Sequence, residues 1–312
     1  VRTMSTVKSA LLYFAVAAAA SGPEVAEILQ DGREKVRAGR ADRAQVLYRE
    51  ALGRLGLSDS VAEDRAALFE ALAEAKMAQG KESDAVGAVE AAYDVLLAAL
   101  GPDDAKVGAA LGRLADAHAA AGDHFSAADT LGQLVAGMRA QGLGSMHPGL
   151  RHTATKHAAA LAAAGRRADS IAAYKELIEL LTPLPPEHVG GEVAAAHVAL
   201  ATQLAQTGKQ ASFEQALEYA QLAQRMHDDP QLRGDHGRLN GAEPLDAAVA
   251  ANALSGVLER LGRHAEAIDQ MERAHALAAA AVGANDPIAL QARRNVEQLR
   301  KHVQRKEGGR GV

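Results

Sequence analysis

"Leu261-Gly262-Arg263-His264-Ala265-Glu266-Ala267-Ile268" contains a phrase, Gly followed five residues later by Ala, that the chain writes repeatedly. Gly39 leads to Ala44, Gly80 to Ala85 and Gly122 to Ala127. With Gly165, Gly208 and Gly262 included, successive glycines lie 41, 42, 43, 43 and 54 residues apart. A near-constant period of this size identifies a repeat array. Each Gly separates two segments with helical apolar periodicity, such as Val107 to Ala121 and Ser126 to Arg139. One unit is therefore two helices and a tight turn, with Gly supplying the left-handed backbone that closes the first helix.

Packing two helices closely explains the other constant positions. Seven residues before each Gly stand Gly32, Ala73, Ala115, Ala158, Ala201 and Ser255, all small. Five after stand Ala44, Ala85, Ala127, Ser170 and Ala267. Helices cross at these places, and a larger side chain would push them apart. Nine after come the larger Tyr48, Val89, Leu131, Tyr174 and Met271, which fill the space toward the next unit. The fifth unit departs: Phe213 follows Gly208 by five, and its matching small residue is Ala216, which implies three residues inserted in the turn. His157 stands where Leu72, Leu114, Leu200 and Leu254 stand elsewhere. A polar, Gly-rich stretch from Asp228 to Gly241 predicts a long exposed loop before the sixth unit.

Composition agrees with a helical array. Aromatics are 3% and Trp is absent, while 48% of residues are hydrophobic and Ala dominates; Ala is the strongest helix former and gives small, closely packed contacts. The formal net charge of −5 provides no global attraction to nucleic acid. There is no Cys, which excludes disulfides and thiolate metal sites. Residues 1–22 differ from the rest. Arg2 and Lys8 precede the apolar run Ala10 to Ala20, the pattern of a targeting peptide; the alternative is an extra N-terminal helix on the first unit. Localisation follows from that choice: cytoplasmic if the segment is structural, secreted, periplasmic or organellar if it is a targeting peptide.

The register resembles the tetratricopeptide repeat (TPR), and the period of about 42, with the phrases "Leu100-Gly101-Pro102-Asp103-Asp104", "His147-Pro148" and "Val282-Gly283-Ala284-Asn285-Asp286-Pro287", resembles the longer repeats of kinesin light chains. In these phrases Pro is expected to open the next helix, where no amide donor is needed. The resemblance implies an all-α fold: a right-handed α-α superhelix of about six helix-turn-helix units over 23–286, with a loop insertion near 228–243. A capping helix over 287–303 and a flexible tail over 304–312 complete it. It also implies that first helices line the concave face. The register places Arg33, Glu70, Glu74, Arg113, Asp116, His152, Lys156, Thr202, Asn252 and Glu259 there. Arg113 and Lys156 are expected to meet an acidic partner, so that reversing both charges would weaken binding and spare stability. The family's Lys/Asn clamp for acidic tails would need those residues ten and six places before one turn Gly; the first unit has Leu29 and Arg33, and no unit has the pair. Of the Asn that holds a peptide backbone in kinesin light chains, ten before the Gly, this chain keeps Asn252, with Glu70, Gly112, Thr155 and Val198 elsewhere.

No phosphate-binding loop, nucleophile elbow or His-Glu-x-x-His is present, and the histidines do not share helical faces at ligand spacing. The sequence thus points to a non-catalytic scaffold or adaptor, with no cofactor and no metal, binding a peptide or helix of a partner protein in its concave groove. Nucleic acid and membrane are not expected as partners of the solenoid, and the oligomeric state is open. The alternative is the sensor or regulatory arm of a larger signalling or transcription-regulating protein.

Overall fold

A computed structural model describes residues 23–57, 59–232, 238–239 and 242–308. The expectations for residues 1–22 lie outside the described residues. Thirteen α-helices and no β-strand occur among the described residues. They are α1 (Pro23–Arg37), α2 (Ala41–Arg54), α3 (Ala62–Met77), α4 (Glu82–Leu100), α5 (Ala105–Ala120), α6 (His124–Ala140), α7 (Pro148–Ala163), α8 (Arg167–Leu181), α9 (Pro186–Ala205), α10 (Gln210–Asp228), α11 (Asp246–Arg260), α12 (His264–Val282) and α13 (Pro287–Gly308). Consecutive odd and even helices from α1 to α12 form six pairs. Two compact halves are present, one up to Gly142 and one from Leu143.

The turn glycines do what their position requires. All six have φ between +71° and +80°, a region that costs an L-residue about 1–2 kcal/mol. In five turns the residue after Gly donates its N–H to the carbonyl five residues back, as in Arg40 to Lys35 (2.8 Å) and Arg263 to Leu258 (2.9 Å). This closure satisfies carbonyls that the helix end would otherwise leave bare. At Gly208 the Lys209 N–H instead meets the Thr207 hydroxyl, at 3.4 Å.

The small positions are the crossing points. Ala73, Ala115, Ala158, Ala201 and Ser255 on first helices, and Ala44, Ala85, Ala127, Ser170, Ala216 and Ala267 on second helices, expose no surface. Two serines show that the positions touch: Ser170 Oγ donates to the Ala158 carbonyl (3.0 Å), and Ser255 Oγ donates to the Ala267 carbonyl (2.6 Å). The hydroxyl crosses the same junction from either side. In the first pair Gly32 is needed, because a Cβ there would collide with the Tyr48 ring.

Several expectations change. The three extra residues of the fifth pair are not in the turn: α10 begins two residues after Gly208, as its counterparts do after theirs. They lengthen the start of α10 by nearly one turn, which brings Ala216 back to the buried face. The stretch after α10 is not wholly exposed, because Leu239 is buried within it. Pro148 and Pro287 open helices, but Pro102 lies in a turn, and α5 starts at Ala105 under a cap from Asp104 (2.7 Å to the Lys106 N–H). The final helix continues to Gly308, past the expected end of the cap at 303. Its buried side is Ala289, Val296, Leu299 and Val303.

Candidate functional site

In the first half, the wall contributed by α1, α3 and α5 gathers four of the ten expected concave residues. Glu70 of α3 is 3% exposed and forms an ion pair with Arg113 of α5. Burial raises the Glu70 carboxyl, and the Arg113 guanidinium opposes that shift. One turn on, Glu74 is partly buried and makes no ion pair among the described residues. Loss of solvent pushes its pKa up to about 7, countered by Arg33 and reinforced by Glu70. Tyr48 of α2 completes the group. It is fully buried, its hydroxyl has no hydrogen-bond partner, and burial, with the Glu74 charge behind it, raises its pKa.

This arrangement corrects the expectation for Arg113. Its guanidinium is committed to a buried carboxylate, so Arg113→Glu would place two carboxylates together in a dry site and cost stability as well as any binding. Asp116 and His152 are exposed, and Lys156 is partly exposed. The Thr202 hydroxyl donates to the Val198 carbonyl of its own helix (2.8 Å). Asn252 is exposed, and Glu259 faces His302 of α13 at 3.6 Å. The second half also buries His197 of α9, with Nδ1 unpartnered and its ring 5.7 Å from that of Tyr219; burial lowers its pKa.

The missed pairings share a signal. Glu63 with Lys106 and Glu70 with Arg113 are each 43 residues apart, Arg151 with Glu192 is 41, and Asp228 with Arg273 is 45. Each joins equivalent helices of neighbouring pairs. Opposite charges one repeat period apart therefore mark inter-repeat ion pairs, and that spacing is legible in the sequence.

Among the described residues no group of three or more His, Asp or Glu side chains could hold a metal ion, and no helix is long and apolar enough to cross a membrane.

Solved structures share the helical arrangement. A protein named BtubC (BKLC) from P. vanneervenii superposes with a TM-score of 0.56 at 16% identity, over 83% of this chain and 92% of that one. The fold is a tetratricopeptide-like helical repeat. The nearly identical TPR-like repeats of a kinesin light chain-like protein from Podosopora anserina give 0.50 at 22% identity, over 65% of this chain and 93% of that one. A Signal Transduction ATPase with Numerous Domains from Pyrococcus horikoshii, which has a tetratricopeptide repeat sensor, gives 0.55 at 9% identity. It is matched over 80% of this chain but only 35% of its own length. No protein-family model matches the sequence, and no curated protein does either.

Proposed function

We propose that the chain is a non-catalytic protein-interaction scaffold whose first helices receive a peptide or a helix of a partner. The observation that carries this reading is the α1–α3–α5 wall, where Arg33, Glu70, Glu74 and Arg113 lie within electrostatic reach of one another. Charged groups held partly out of water are poised to exchange partners on binding, whereas fully solvated ones contribute little. Arg33, Glu74, Asp116, His152, Lys156, Thr202, Asn252 and Glu259 are the positions at which contact is proposed, with the Glu70–Arg113 pair as their support in the first half.

Selection from a displayed random-peptide library tests this, followed by hydrogen exchange on the complex. Protection should concentrate on first helices, α1, α3 and α5 foremost, and Arg33→Ala should weaken the selected peptides. Protection confined to second helices would defeat the groove assignment.

A second reading has one specific support, the match to the ATPase with a repeat sensor over about a third of that protein. In that reading the chain is the sensing arm of a larger regulator. Sequencing the flanking reading frame distinguishes the two: an adjoining nucleotide-binding or DNA-binding region favours the sensor.

A further inference from the structure

The first and last of the described helices carry opposite charges on sides that no other helix covers. Helix α1 packs on α2 and α3, and α13 packs on α12. Val25 and Leu29 are buried on the packed side of α1. Glu24, Glu27, Asp31 and Glu34 follow at intervals of three, four and three, so they form one stripe, turned away from that side. All four are exposed. The packed side of α13 is Ala289, Val296, Leu299 and Val303. Arg294, Lys301 and Arg305, at intervals of seven and four, run along the opposite side and are exposed as well.

Several charges on these helices are matched within the chain. Asp31 is paired with Lys35, Arg293 with Glu297, and Arg300 with Glu272. Glu24, Glu27 and Glu34 on α1, and Arg294, Lys301 and Arg305 on α13, make no ion pair among the described residues. Glu34 accepts from Gln30, and Arg294 donates to Gln291, both neutral. The two sets agree in number and length: at about 1.5 Å per residue each stripe is about 15–17 Å long. Set antiparallel, Arg294 faces Glu34, Lys301 faces Glu27 and Arg305 faces Glu24. We propose that α13 of one copy docks on α1 of another, so that the protein associates with itself head to tail. A second copy supplies the complement of both stripes at once, whereas like helix against like would be repelled. The two faces are different surfaces, so each bound copy keeps one free face, and growth closes into a ring or continues as an open chain. Exposed ion pairs are individually weak and screened by salt, which makes this a contact of high protein concentration and low ionic strength.

Sedimentation of the full chain over a range of concentrations tests the proposal. The average mass should rise with concentration in about 10 mM salt and fall back to the monomer in about 0.5 M salt, as the screening length drops from about 30 Å to a few Å. Arg294→Glu with Lys301→Glu should weaken association about tenfold or more, and so should Glu27→Lys with Glu34→Lys. All four changes in one chain leave the formal net charge at −5 and should restore it. Carbodiimide cross-linking of mixed isotope-labelled and unlabelled wild-type copies reads the same contact without substitutions, and should join Lys301 of one copy to a carboxylate of α1 in another. A monomer at every concentration in low salt, association that survives high salt or either charge reversal, or Lys301 cross-linked between copies only to carboxylates outside α1 would each overturn the contact. So would a four-residue exchange that leaves helicity unchanged and fails to restore association.

Discussion

Glu74 concentrates the physics of the first half in one side chain. Its carboxyl is kept from solvent, and Arg33 and Arg37 are the cations whose charges act on it, without forming an ion pair with it. A raised folded-state pKa means that the native state binds more protons than the unfolded one between the ordinary value of 4.5 and about 7. Stability from this group is fully present below pH 4.5 and is lost as pH rises through about 7. Glu74→Gln removes the charge and keeps the shape. It should therefore be nearly neutral at pH 4.5 and stabilise by roughly 1–3 kcal/mol at pH 8, measured by urea unfolding at both values. Equal effects at the two pH values would show that the carboxyl is solvated. The crossing point on α12 gives a second residue-scale contrast. Ala267 is fully buried and its carbonyl accepts from Ser255, whereas Ala265 is exposed. Ala267→Leu should cost about 1–3 kcal/mol by overpacking, while Ala265→Leu should stay within about 0.5 kcal/mol. Comparable losses at both positions would contradict the crossing.

At the scale of the element, the sequence was most legible where the constraint was local. A left-handed turn needs Gly, and a helix crossing needs a small residue, so Gly122, Ala115 and Ala127 announce themselves. The place of the insertion near Gly208 is not legible, because spacing counts residues without saying whether they extend a turn or a helix. Three residues almost complete one helical turn, so α10 absorbs them without losing its face. Of the candidate site, the register brought Arg33, Glu70, Glu74 and Arg113 to one wall but not their pairing, which depends on contacts a full repeat away. His197 is not legible in the register, because burial of a polar group leaves no periodic trace. Helix entry offers a further test. His147 caps α7 by accepting the Leu150 N–H at Nδ1, 3.2 Å away, and Arg151 donates to the carbonyls of Ser145 and Met146. His147→Ala should cost about 1 kcal/mol, whereas His147→Asn, which restores an acceptor, should recover most of it. Failure of Asn to recover stability would indicate that the ring's packing, not its cap, holds the entry.

For the whole molecule, repeat arrays divide stability into local terms and interfaces between neighbours, so different regions can respond differently to the same change in solution. The two halves carry buried groups of opposite titration sense. In the first half, Glu74 makes the native state lose stability as pH rises from about 4.5 to about 7. In the second, burial depresses the His197 pKa, so below its ordinary value of 6.5 the unfolded chain takes up a proton that the native state resists. Stability there falls as pH drops from about 7 toward the lowered folded value. Hydrogen exchange at pH 5 and pH 8, corrected for intrinsic exchange rates, should show stronger protection of α1 to α5 at the acid value and of α9 and α10 at the alkaline one. Each trend has its own control. Glu74→Gln should flatten the first while sparing the second, and His197→Phe, which retains a ring beside Tyr219, should do the reverse. A uniform pH response along the chain, unmoved by either substitution, would mean that folding is cooperative across both halves and that neither buried group governs its own region.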